Sequence, residues 1–149
     1  MLRPIVAATL IAGTLDILFA FVMAGMSVIA VLRFVASGPF GAAPTESFGW
    51  AIVGLAVHFT IMAVMAAAYI LAAPRFPVLL RHPILAGIGY GVLLWIVMYW
   101  IVMPLRFDMP LPSGLTAVAQ QLFAHCLLVG VPMAWLASNA FRREALRPR

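Results

Sequence analysis

Four runs of apolar residues, each at or above the roughly 20 residues that carry a helix across about 30 Å of hydrocarbon, constrain this chain more than any other feature. They extend from about Ile5 to Leu32, Trp50 to Ala73, Ile84 to Met103 and Leu115 to Ala137. Only 9% of the 149 residues are charged, where a soluble globular domain carries about 25%. The sequence therefore predicts an all-α, four-helix transmembrane bundle, with residues 1–149 forming a single integral membrane domain in the lipid bilayer. The first run is about twice the apolar core of a cleavable leader and reads as a retained helix.

Helix-ending residues separate the runs: Ser37-Gly38-Pro39-Phe40-Gly41 through Pro44, then Pro74, Pro77 and Pro83, then Pro104, Pro110, Pro112 and Gly114. Short, stiff links of this kind imply antiparallel neighbours and an up-down-up-down bundle. Arginine placement sets the orientation. Arg3, Arg75, Arg81, Arg142, Arg143, Arg147 and Arg149 share the side of both termini, against Arg33 and Arg106 on the other. Positive charge accumulates on the cytoplasmic side, so both termini are expected in the cytoplasm. Trp50, Tyr99 and Trp100 fall toward the opposite boundary, where amphipathic rings settle. The same arginine placement accounts for the net charge of +5 without nucleic acid as a partner. A lone Cys126 allows no internal disulfide and reads as a small core residue.

Small residues recur at helical spacing in the first run at Thr9, Gly13, Asp16, Ala20, Ala24 and Ser27, and in the second at Ala51, Gly54 and His58. Gly87 and Gly91 form a GxxxG pair in the third. Such stripes let helix backbones approach closely, so Gly13, Gly54, Gly87 and Gly91 are expected at helix contacts.

Asp16, His58 and His125 lie near the middle of three different runs. Ionisable groups at that depth are costly and face a bundle interior or a water-filled cavity. A central Asp costs about 2.5–3.5 kcal/mol on insertion, while the Ile, Leu, Phe and Val of the first run return roughly 4–8 kcal/mol, so the helix still inserts. One carboxyl and two imidazoles from three helices can hold a divalent metal, pass protons, or hydrogen-bond one another as structural polar contacts. Gln121 lies one turn from His125 and either extends this polar track or bonds backbone near the interface, as does Gln120. Tyr69 and Tyr90 extend it in the other direction or are packed rings with one partner each. His82 reads as an exposed loop residue. Pro132 removes a backbone bond to Leu128 and predicts a kink. Met62, Met65 and Met98 lack the tight repeat of a copper carrier and read as gap fillers.

From about Leu55 onward the pattern resembles the YagU-like family of small bacterial inner-membrane proteins. The residues that carry it are His58 with Tyr69, Leu85-Ala86-Gly87 after a basic Pro-containing loop, Pro110 and Pro112, and Phe123-Ala124-His125 followed by Arg142-Arg143. The resemblance implies a multi-pass protein of the bacterial inner (plasma) membrane in which His58 and His125 are recurring positions. It implies no reaction, and Asp16 has no counterpart in it.

The leading functional expectation is proton or small-solute handling through Asp16, His58 and His125. A non-catalytic membrane subunit or assembly factor is the alternative, with the GxxxG face taking a membrane-protein partner or a second copy. A bis-His haem protein is a further one, with Gly54 and Gly130 making room for the ring. No nucleophile elbow, phosphate loop or zinc-binding helix motif is present, which disfavours a conventional soluble enzyme. No cofactor is expected by default.

Overall fold

The computed structural model describes residues 1–42 and 46–146, and every regular element among them is helical. Pro44, Arg147 and Arg149 lie outside the described residues. In chain order the elements are α1 (Leu2–Met23), α2 (Val28–Phe40), α3 (Trp50–Ala72) and α4 (Val78–Arg81). Next come α5 (Pro83–Ile96), a π-helical stretch (Val97–Val102) and α6 (Met103–Phe107), which together form the third long helix. The fourth joins α7 (Leu115–Phe123), a second π-helical stretch (Ala124–Gly130) and α8 (Val131–Ala145). Four helices, Leu2–Met23, Trp50–Ala72, Pro83–Phe107 and Leu115–Ala145, are thus long and apolar enough to cross a membrane.

The first apolar run departs from the expected single helix over 5–32. Helix α1 ends at Met23, Gly25 takes a left-handed φ of +64°, and Ser27 opens α2 by accepting the Ala30 N–H at 3.2 Å. Only glycine adopts that conformation without strain, and a serine N-cap stabilises a new helix by about 1 kcal/mol. Two good local signals outweigh the apolar continuity. Helix α2 then runs through Ser37-Gly38-Pro39, which the sequence predicts as a loop, and ends with Gly41. The side chain of Arg106 donates to the carbonyls of Ser37 and Gly38, so a residue from the third long helix supplies the C-terminal cap of α2.

The two interior prolines explain the π-helical stretches. A proline ring clashes with the carbonyl four residues earlier and brings no N–H of its own. Before Pro104 the Met103 N–H reaches back to Met98 O, and before Pro132 the Val131 N–H reaches back to Cys126 O. Each bond spans five residues rather than four, and the chain stays helical through a widened turn. The third and fourth helices consequently continue past their expected ends at Met103 and Ala137. Asp108, at a left-handed φ of 52°, terminates the third.

Helix α1 packs on α3 and on the fourth long helix, which packs in turn on α5. The last pairing brings backbones into contact. A Cβ on Gly91 would sit 2.4 Å from Cys126 Cα, and one on Gly130 would sit 2.0 Å from Gly87 O. Gly54 meets the Leu32 carbonyl of α2 equally closely, and Gly13 meets the Phe59 ring. The half of the bundle nearest the termini is filled by Ala8, Ala12, Ala66, Ile70, Met133 and Ala137, all fully buried. Tyr69 and Ser138 donate to the carbonyls of Leu79 and Leu80 at 3.0 and 2.9 Å, fastening α4 across that end.

Gly130→Ala is expected to lower the thermal unfolding midpoint of the detergent-solubilised chain, because backbone cannot move aside and overpacking costs about 1–3 kcal/mol or more. Gly89→Ala, whose added Cβ meets nothing within 4 Å, should leave the midpoint unchanged. Equal midpoints for the two variants would contradict this packing.

Candidate functional site

A half-open cavity of about 900 Å³ lies in the half of the bundle away from the termini. That is within the 300–1,000 Å³ typical of small-molecule sites. The second half of α1, helix α2, the middle of α3, the first π-helical stretch with α6, and α7 with the second π-helical stretch surround it. It exists because the small residues that close the other half give way here to Phe19, Phe34, Met62, Met98 and Phe107. Their side chains hold the helices apart. Helix α2 covers one side, with Phe34 stacked on Phe107 at 4.6 Å.

Asp16, His58 and His125 all line this cavity. His58 is buried, and its Nε2 lies 2.9 Å from Gly13 O. A carbonyl only accepts, so the proton is on Nε2 and a neutral ring keeps its lone pair on Nδ1. His125 adopts the reverse arrangement: Nδ1 donates to Gln121 O at 3.0 Å, leaving the Nε2 lone pair. Asp16 is half-buried and lies within electrostatic reach of both imidazoles. Its carboxyl forms no hydrogen bond or ion pair with the described residues. Among those residues no three of His, Cys, Asp and Glu stand at metal-holding spacing.

The other predicted positions fall out differently. Gln121 lines the cavity, and its Oε1 accepts from Trp95 Nε1 at 3.0 Å. Tyr69 and Tyr90 do not extend the polar track. Their hydroxyls donate to Leu79 O and Met65 O, at 3.0 and 2.8 Å, and their rings meet edge to face at 5.0 Å outside the cavity. The space beside Gly54 and Gly130 is occupied by Leu32 O and Gly87 O, so these two glycines serve helix packing. Gly87 and Gly91 pack on the fourth helix of the same chain, so the GxxxG face is not open to a partner helix.

Two site residues escape the sequence reading. Tyr99, expected at the membrane boundary, turns inward and sets its ring 5.6 Å from that of His125 at 71°. Arg106 closes the cavity rim by holding α2. The usable signal was proline: Tyr99 and His125 each lie a short distance before one, within the widened turns that Pro104 and Pro132 impose, and such turns recur at functional sites. Comparison of the chain with family models, curated proteins and solved structures returned no match.

Replacing Arg106 by Ala should leave the last carbonyls of α2 uncapped. Amide exchange over Val31–Phe40 is expected to accelerate at least about ten-fold, matching the loss of a charge-assisted bond of about 1.5–3 kcal/mol, while exchange over Ala8–Ile17 stays the same. Unchanged exchange in α2 would show that Arg106 does not hold it.

Proposed function

We propose that this chain is a multi-pass protein of the bacterial inner membrane, up-down-up-down with both termini cytoplasmic, that handles a small solute in the cavity lined by Asp16, His58 and His125. One observation carries the reading: three ionisable side chains from the middles of three apolar helices line a single cavity of ligand size. The orientation is supported by the arginines. Arg3 and Arg143 border one hollow where the first turn of α1 meets the last turns of α8, and Arg75 and Arg81 flank α4, which is bonded to the same half of the bundle. The inner-membrane location rests on the YagU-like resemblance together with this charge asymmetry.

Solute handling is favoured over a continuous proton wire by what lies beyond the cavity. Ala12, Met62, Ala66, Ile70, Met133 and Ala134 close the bundle there with apolar side chains, and the nearest hydroxyls are committed to carbonyls. The partner-helix and haem readings lose their glycines to internal packing, as described above.

In liposomes containing the reconstituted chain, saturable uptake is expected for at least one of a panel of small amphiphiles with neutral, cationic and anionic heads. Ala20→Trp, which fills the cavity, should abolish it. His125→Phe should reduce it about ten-fold, the scale of one lost buried polar contact. Uptake across the whole panel no greater than in protein-free liposomes would contradict the reading.

A further inference from the structure

We propose that the solute is a lipophilic organic cation carrying a single positive charge, with Asp16 as its counter-charge. The inference rests on the cavity reading and adds the chemical class of the occupant. Among the described residues, two formally charged side chains line the cavity, Asp16 and Arg106. Arg106 is spent on the carbonyls of Ser37 and Gly38 at the rim. Asp16 makes no hydrogen bond or ion pair with the described residues, and its electrostatic neighbours His58 and His125 each place a ring proton on a carbonyl.

The reason Asp16 stands apart is chemical. Around it, the imidazoles satisfy themselves on backbone carbonyls, His58 on Gly13 and His125 on Gln121. Ionised, the carboxylate has no proton to give and cannot use a carbonyl, and at this depth a nearby cation is what would hold it in that form. It needs a donor or a positive charge, and the cavity wall supplies neither within bonding distance. With both imidazole protons on carbonyls, the nitrogens left over are lone pairs, as is the Gln121 oxygen that already accepts from Trp95. The Tyr99 hydroxyl and the amides of Gln120 and Gln121 bring neutral donors to the wall, and none of them bonds Asp16.

The remaining wall suits the body of such a ligand. Phe19, Phe34, Tyr99 and Phe107 bring aromatic rings to the wall, and such rings attract organic cations. Met62 and Met98 add unbranched, polarizable side chains that adapt to several shapes. A cation of this kind enters from the bilayer, loses little hydration, and neutralises a charge that is costly at membrane depth. An anion of the same shape would meet Asp16 unscreened. A neutral acyl chain would leave it unpaired.

The test uses the full chain in lipid nanodiscs, with empty nanodiscs as the blank, and three probes of similar bulk: tetraphenylphosphonium, tetraphenylborate and neutral triphenylphosphine oxide. Saturable binding of tetraphenylphosphonium is expected, at least about ten-fold tighter than the borate. Asp16→Asn should weaken phosphonium binding by a similar factor and Asp16→Glu should preserve it, with thermal unfolding checked for each variant. Equal affinity for cation and anion, preference for the anion or the neutral probe, or phosphonium binding unchanged in folded Asp16→Asn would overturn the inference while leaving the cavity reading in place. No saturable binding of any probe would overturn both.

Discussion

Inside a bilayer no water completes a hydrogen bond, so each polar group in the spans must find its partner within the protein. This chain meets that constraint mainly with backbone carbonyls. Thr9, Thr60, Tyr69, Tyr90, Ser138, His58 and His125 all contact one. A carbonyl already bonded along its helix retains a second lone pair, which makes it the nearest acceptor for any buried donor. The rule serves donors only. Asp16 falls outside it, and the cavity is where that exception is accommodated.

The two halves of the bundle differ because their side chains differ in size. Toward the termini, glycine and alanine bring the third and fourth helices into backbone contact, with Gly87, Gly91 and Gly130 meshed so closely that a single methyl group would not fit. Away from the termini, phenylalanine and methionine take the place of the small residues and line the cavity. Pro104 and Pro132 widen the turns before them, which is how Tyr99 and His125 come to face one another. Helix α2 then covers the opening, held by the notch at Gly54 and by Arg106. The closed half anchors and the open half receives.

Much of this was legible in the sequence, for physical reasons that can be named. Length and hydropathy disclosed four long helices, because lipid leaves a chain few other solutions. The depth of Asp16, His58 and His125 followed from counting along those helices at 1.5 Å per residue. What stayed hidden was where a side chain points once helices are placed side by side. Tyr99 reads as a boundary residue by position and is a cavity residue by rotation. Tyr69 and Tyr90 sit on a polar-looking face, yet a carbonyl within reach satisfies each of them. The break at Gly25 and Ser27 does not show in hydropathy, because the run stays apolar on both sides of two short-range signals. Its consequence, the covering helix α2, depends on Arg106, which lies 68 residues beyond Gly38.

The central claim is that ionisable groups from separate membrane-depth helices meet in one cavity. The direct measurement is thiol cross-linking in a bilayer, with Cys126→Ala removing the native thiol. Asp16→Cys combined with His125→Cys should be bridged by a short bifunctional reagent, whereas Asp16→Cys with Leu127→Cys, exposed on the outside of the same turn, should not. Equal bridging of both pairs, or bridging only of the second, would contradict the account.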